Sequence, residues 1–514
     1  MGRKTKKNTK GNQASNSPTQ GASSSKSSVA VSISELSKSS KRDLSELINN
    51  LLEICSKPLE FRTKELEDYP DIYNLVDKIQ QIQSVLSLPE HNRHQDFPVF
   101  IKWLNDNGVS TTAVEIVEFE GYGFGLKAAQ DFKEGDRLLC IPRKLMMTVD
   151  TANESALGPL IAEDKILQVM PNVTLALHLL NERFSKQSFW KPYIDILPSQ
   201  YSTPLYWKPV DLQHLKGSPV QDDAVNQYRN IARQYAYFYR LLQKNPLANT
   251  LPLKDNFTYE NYRWAVSSVM TRQNQIPARD GSRSTLGLIP LWDMCNHTNG
   301  VYTSDYSAED DACECFCLKD FSVDQQVFIF YGPRSNGEFL VHNGFVYPEN
   351  EHDRLCFKLG ISKDDPLYAL KSEVLEKLNI APSRSFYLHK GRFPVDGDLL
   401  SFLRVFSMDE VTLKEGYIDG STSSPENLDN LKNEDQIVNK ENENKVWSFL
   451  QTRAQLLIKA YTCSLEEDES LLQQADVCNA SKMAAQLRIG ERQILQNMIN
   501  YAEQKKDELT SASN

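Results

Sequence analysis

LIPLWDMCNHTNG at 288–300 and VFIFYGPRSNGEF at 327–339 decide how this chain reads. In each, an apolar run ends in polar groups, Asn296-His297 in the first and Tyr331-Gly332 in the second. The pattern predicts two strands that deliver side chains to their tips, where a packed scaffold carries its chemistry. Upstream, VEIVEFEGYGFGLKAAQDFKEGDRLLCIP at 114–142 reads as strand, Gly-punctuated turn, strand, tight turn at Glu134-Gly135, strand. Gly121, Gly123 and Gly125 let backbone approach a ligand closely, because a residue without Cβ takes positive φ and leaves no side chain in the way. Taken alone, such a turn is more often a bulge than a ligand loop.

A chain of 514 residues with 40% hydrophobic content is long enough for about two or three cores. No apolar run approaches the ~20 residues that cross a bilayer, so no membrane partner is expected. The N-terminus MGRKTKKNTK has no apolar core of a signal peptide, and Lys6 stands where a myristoylation motif wants Ser or Thr. A cytoplasmic location is expected, with the nucleus a further option. The nine cysteines are odd in number and scattered, which fits a reducing compartment. In CECFC, Cys313, Cys315 and Cys317 alternate with Glu314 and Phe316 at the period of a strand, and no second Cys or His cluster would complete a metal site. No metal is expected.

Residues 1–31 carry +6 and the rest −17, for a net charge of −11. The Ser-rich basic tail has too few apolar groups to offset its ordering entropy and is expected to be disordered; it is either a solvated tail or a nuclear-import signal. The acidic remainder argues against direct nucleic-acid binding, which depends on neutralising phosphates. A helical segment is expected over 32–90, with Leu44, Leu47, Leu51 and Ile54 along one side and a second helix from about Tyr73 to Leu86. FPVFIKWL at 97–104, 172–184 and 223–244 also read as helices; His178 and the YAYFY cluster on them read as core. In the next helix Thr258 is the N-cap, Tyr262, Ala265, Val266 and Val269 form the buried stripe, and Arg272-Gln273-Asn274 emerge at its C-terminus. Beyond Tyr347 the pattern predicts helices without strands, including a Ser464-to-Glu467 capping box, a long polar loop near 419–445 and a polar tail at 506–514.

In order, GYGFGLKAAQDFKEGD, DMCNH and the strand ending FYG resemble the SET-domain methyltransferases, in the branch of the Rubisco large-subunit methyltransferase. RWAVSSVMTRQNQIP at 263–277 and YGPRSNGEF are similar to the protein-histidine-methylating members, whose substrate is actin. The resemblance covers about residues 90–505, and it departs from the wider SET pattern where Thr298, Asn299 and Gly300 follow His297 in place of Pro-Asn. It implies an α+β fold: a SET domain of small β-sheets over 91–350 with a helical insertion at about 151–275, followed by an all-α substrate-binding domain over 351–505.

The resemblance further implies S-adenosyl-L-methionine as methyl donor. It places Arg93, Tyr122, Gly123, Phe124, Arg272, Asp293, Met294, Cys295, Asn296, His297, Asn343, Gly344 and Phe345 around the donor. Gln273, Asn274, Trp292 and Arg334 would face the substrate, with Tyr331 and Asn274 as the catalytic pair. The chemistry agrees. A lysine nucleophile, with a reference pKa near 10.4, must lose a proton at a cost of roughly 4 to 5 kcal/mol at neutral pH, whereas an imidazole is mostly neutral and needs only the right tautomer. An amide such as Asn274 can hydrogen-bond one ring nitrogen and thereby fix which nitrogen stays free. The expectation is methyl transfer to the tele nitrogen of an actin histidine. The alternatives are a lysine methyltransferase acting on histone or another protein, and a silent SET-like scaffold that binds peptides. Neither a GK[ST] phosphate loop nor a GxSxG elbow is present.

Overall fold

Alternating side chains along Val114–Phe119 and Gly123–Ala128 pair these strands as an antiparallel hairpin, Val114 opposite Ala128 and Phe119 opposite Gly123. In the computed structural model, which describes residues 32–58, 63–86, 92–418 and 425–511, the strand Gln326–Ile329 lies antiparallel beside this hairpin. Asn296–His297 then pairs parallel with Gln326–Ile329, Phe328 opposite Asn296 and Ile329 opposite His297. One four-stranded sheet thus gathers the Gly-rich turn, the Asn-His pair and the strand that leads to Tyr331. Two three-stranded sheets adjoin it. One has Ser304–Ser307 on its edge, beside Ala312–Phe316 and Arg137–Pro142; the other has Asn274–Pro277 on its edge, beside Ser284–Leu288 and Met147–Thr148.

The LIPLWDMCNHTNG stretch is not the single strand its apolar run predicts. Its strand stops at Leu288; Pro290 lacks a ladder donor, Leu291 has φ +69°, and a 3₁₀ turn over Trp292–Met294 precedes the short Asn296–His297 strand. The break turns Trp292 and Asp293 inward. The CECFC alternation does form a strand, with Cys313, Cys315 and Cys317 all buried and no metal-type cluster among the described residues.

The insertion is helical. Pro171–Phe184, Val220–Lys244 and Tyr259–Arg272 pack their apolar stripes into one core with the sheets. Thr258 caps the last of these, accepting from the Asn261 N–H at 3.1 Å. His178 is fully buried, with Nε2 3.2 Å from the Thr151 hydroxyl and Nδ1 unpartnered, so burial drives its imidazole down to about 4. The N-terminal helix Lys38–Ser56 joins the same core through Leu44, Ile48, Leu51 and Cys55, a face rotated slightly from the expected one, on which Leu47 and Ile54 are only half-buried. The second helix starts earlier than expected, at Thr63, and accommodates Pro70; packing against Val220–Lys244 outweighs the lost backbone bond.

The C-terminal lobe has its own core, but it is not all-α. Arg354–Gly360 and Ser383–His389 form a seven-residue antiparallel ribbon, because Leu355, Phe357 and Leu359 on one strand and Phe386 and Leu388 on the other alternate toward that core. The polar stretch expected as a loop contains the helix Pro425–Asn430 and the start of Lys440–Ala460. The terminal helix runs from Asn479 through Ser511, into the expected polar tail. Its first half contributes Met483, Ala484 and Leu487 to the SET core, and its second half contributes Ile494, Leu495 and Met498 to the lobe core. The tail at 1–31 and the last residues, 512–514, lie outside the described residues. No described helix is long and apolar enough to cross a membrane.

Candidate active site

Two cavities, of about 730 and about 790 Å³, meet where the elements above converge. The first is lined by Arg93, Tyr122, Gly123, Phe124, Met294, Asn296, Gly344 and Phe345; the second by Gln273, Asn274, Trp292 and Arg334. Thr271, Arg272, Asp293, Tyr331 and Asn343 line both, so they form the passage between them. A group placed in one cavity can reach a group in the other only past these five side chains. Two residues expected around the donor are on neither wall. Cys295 is buried with its carbonyl accepting the Tyr331 hydroxyl at 2.6 Å, and His297 sits among the rings of Phe330, Tyr331, Phe339, Phe345 and Tyr347.

Those two residues act on the passage from behind. The Tyr331 N–H donates to His297 Nδ1 at 3.2 Å, which leaves the ring hydrogen on Nε2, buried and unpartnered. Burial and the nearby Arg334 hold this imidazole at about 4, so it is neutral and fixes Tyr331 at both backbone and hydroxyl together with Cys295. Burial also raises the Tyr331 phenol above its ordinary range, an effect that Arg272 opposes but does not cancel. Tyr331 is therefore a neutral hydroxyl at physiological pH. It can orient a partner; it is not equipped to remove a proton.

The charged groups of the passage are interlocked. Arg272 donates to the Asp293 carbonyl at 2.5 Å and lies 3.8 Å from its carboxylate, which also accepts from the Tyr193 hydroxyl. Burial raises the Asp293 carboxyl, with Arg272 and Tyr193 opposing. Arg93 lies against the Phe124 ring, 4.9 Å from its centroid, and burial with repulsion from Arg272 lowers it to about 10. Buried atoms of both signs, Arg93 Nε, Arg272 Nε and Asp293 Oδ1, have no partner among the described residues. Unpaired buried polar groups cost on the order of 1–3 kcal/mol each, a cost that a ligand carrying both charges would relieve.

Backbone shape completes the first cavity. Asn296 donates to the Phe124 carbonyl at 3.3 Å, and a Cβ on Gly125 would stand 2.8 Å from the Asn296 amide nitrogen. Gly344, with φ +81°, ends the turn Phe339–Asn343 and brings its Cα so near residue 203 that a Cβ would be 2.8 Å from the Thr203 backbone nitrogen. Ser202 and Tyr201 of the insertion, and Asn479, Lys482, Met483 and Gln486 of the terminal helix, also line this cavity. No sequence signal marked them, because only the tertiary fold brings them there.

In the second cavity the helix Tyr259–Arg272 ends with Gln273 as its C-cap, its N–H donating to the Val269 carbonyl at 2.8 Å and its side-chain oxygen buried without a partner. Asn274 begins the edge strand, and its Nδ2 donates to the Arg272 carbonyl at 3.0 Å. That bond leaves the side-chain oxygen as the free end of the amide. Trp292, 6% exposed, forms a flat wall with its indole nitrogen unpartnered. Arg334 is tied to Asn343 Oδ1 at 2.8 Å, linking this cavity to the passage. The cavity runs between two open sheet edges, Asn274–Pro277 and Ser304–Ser307, whose unpaired backbone groups suit an extended peptide.

The family model described as SET domain matches residues 123–332, and the one described as Rubisco LSMT substrate-binding matches residues 362–495. Proteins named actin-histidine N-methyltransferase from Homo sapiens and Gallus gallus are each 50% identical to this chain over 464 residues, 90% of this chain and 78% of theirs. Among solved structures, the SET domain of LSMT bound to lysine and AdoHcy superposes with TM-score 0.67 at 25% identity, covering 81% of this chain and 92% of that one. Rubisco LSMT bound to AdoMet gives TM-score 0.66 at 25% identity, covering 80% and 93%.

Proposed function

Because the chain belongs to the SET-domain methyltransferases, in the family of the actin-histidine N-methyltransferases, we propose that it methylates the tele nitrogen of a histidine in actin. S-adenosylmethionine is the methyl donor and supplies a methyl group on a positively charged sulfur. The first cavity fits it: Arg93 Nε and Asp293 Oδ1, unpartnered among the described residues and of opposite sign, complement a carboxylate and an ammonium, and Gly121 and Gly123 line it with backbone alone. Tyr122 and Phe345 offer apolar rings to the nucleoside.

The observation that carries the choice of histidine is Asn274. With Nδ2 engaged by the Arg272 carbonyl, the amide presents an acceptor to the second cavity. An acceptor selects the ring nitrogen that bears hydrogen, so an imidazole bound through its pros N–H keeps the tele lone pair free and pointing away from Asn274. Trp292 gives the ring a flat apolar wall, and the neutral Tyr331 hydroxyl borders the passage. As the tele N–C bond forms, the electron pair of the broken S–C bond returns to sulfur. The ring becomes a cation and then sheds its pros proton to water. No strong base is required, in keeping with the absence of one beside Tyr331: Asp293 is held by Arg272 and Tyr193, and His297 faces away from the cavity. The catalysis assigned to this chain is positioning and exclusion of water.

Actin is the protein partner in this reading, its segment entering extended between the two sheet edges and its body meeting the C-terminal lobe. The same reading expects the protein in the cytoplasm beside actin; the basic tail is either a solvated tail or a nuclear-import signal. The test is incubation with methyl-labelled S-adenosylmethionine and either actin or histone, followed by mapping of the labelled residue. Label on the tele nitrogen of one actin histidine is the expected result; label confined to lysine would replace it with lysine methylation.

A further inference from the structure

The helix Asn479–Ser511 belongs by sequence to the C-terminal lobe, yet Asn479, Lys482, Met483 and Gln486 line the cavity assigned above to the methyl donor. Their spacing of three and four residues puts them on one face of the helix. Met483 is anchored in the SET core, which fixes that face against the cavity. Lys482 is half-buried and makes no ion pair among the described residues. Its ammonium is therefore free to donate to acceptors placed in the cavity.

We propose that Lys482 and Gln486 hold the nucleoside half of S-adenosylmethionine, so that a helix of the substrate-binding lobe forms one wall of the donor site. The assignment rests on the donor reading of this cavity. The methyl must be presented at the passage of Thr271, Arg272, Asp293, Tyr331 and Asn343, and the terminal helix takes no part in that passage. Arg93 and Asp293, with their unpartnered buried atoms, already complement the charged amino-acid half. A lysine close to the sulfonium would repel it. Away from it, the ammonium meets ribose hydroxyls and ring nitrogens, all acceptors, and the Gln486 amide can serve donors and acceptors alike.

The experiment is calorimetry on the full chain with S-adenosylmethionine and, separately, 5′-methylthioadenosine, which keeps the nucleoside and lacks the amino-acid half. Wild-type binding of S-adenosylmethionine tests the donor reading itself. In the Lys482→Ala, Gln486→Ala double variant, both ligands should bind roughly 5- to 20-fold more weakly, while the ligand-free melting temperature stays that of the wild type. Wild-type affinity for both ligands in the variant would overturn the proposal. Weakening of S-adenosylmethionine alone would overturn it too, by moving the contact to the amino-acid half. Should the double variant misfold, the single variant Lys482→Met, which keeps an unbranched side chain and removes the ammonium donor, must show the same parallel loss.

Discussion

At the scale of single residues, the two side chains that frame the proposed reaction should fail in different ways. Tyr331 donates to the Cys295 carbonyl and takes its backbone placement from His297, so Tyr331→Phe removes the hydroxyl while the ring stays put. Turnover should fall about 10- to 100-fold, with donor affinity nearly unchanged, because the hydroxyl borders the passage and carries no charge to bind the donor. Stopped or steady-state kinetics beside calorimetry read the two quantities; equal losses in both would make Tyr331 a binding residue. Asn274→Ala tests tautomer selection. Losing the acceptor leaves imidazole free to present either nitrogen, so histidine methylation should fall roughly 10- to 100-fold while S-adenosylmethionine binds as before. A parallel loss of donor affinity would put Asn274 in the other cavity.

At the scale of elements, what the sequence announced was what neighbours in the chain determine. The hairpin at 114–128, the Thr258 cap, the Ser464–Glu467 capping box and the alternation of CECFC all form as their residue patterns predict, since each depends on side chains a few positions apart. The ribbon of Arg354–Gly360 and Ser383–His389 alternates as plainly, but its partners are separated by the helix Tyr368–Lys377 and its pairing is not a tight hairpin. Orientation was less legible than position: the motif at 292–297 sends Asp293 and Asn296 to a cavity wall and Cys295 and His297 behind it, a division set by the 3₁₀ turn and the aromatic packing. Gly344 shows how much one joint between elements matters. Ala there would meet both a positive φ and the backbone of Ser202 and Thr203, the first of which also lines the donor cavity, so Gly344→Ala should cost about 1–3 kcal/mol of stability and weaken donor binding. A variant that melts with the wild type and binds S-adenosylmethionine equally well would show that this joint yields.

At the scale of the whole molecule, the two cores are held in register by the terminal helix and by one buried carboxyl on it. Glu491 accepts from the Ser218 hydroxyl of the insertion at 2.7 Å and from the Tyr461 hydroxyl of the lobe at 2.8 Å, with Asp353 nearby and Arg488 engaged by Asp468. Burial raises its carboxyl from 4.5 to about 7, a shift that the two hydroxyls reduce and Asp353 reinforces. A carboxyl raised in the folded state favours the folded state in its protonated form. Its contribution is therefore fully present below about pH 4.5 and is lost as pH rises through about 7, an amount on the order of 3 kcal/mol. Between about pH 4.5 and 7.5 the wild type should lose melting temperature more steeply than Glu491→Gln, which keeps a neutral side chain of the same shape, and the two curves should separate by a few degrees at the alkaline end. Glu491 also faces the cleft between insertion and lobe, outside the donor cavity, so added S-adenosylmethionine should raise both curves and leave their separation in place. Differential scanning calorimetry with and without the donor measures both effects. Parallel curves across the whole range would mean that Glu491 is ionised in the folded protein at neutral pH, and that the junction between the two cores is wetter than its burial implies.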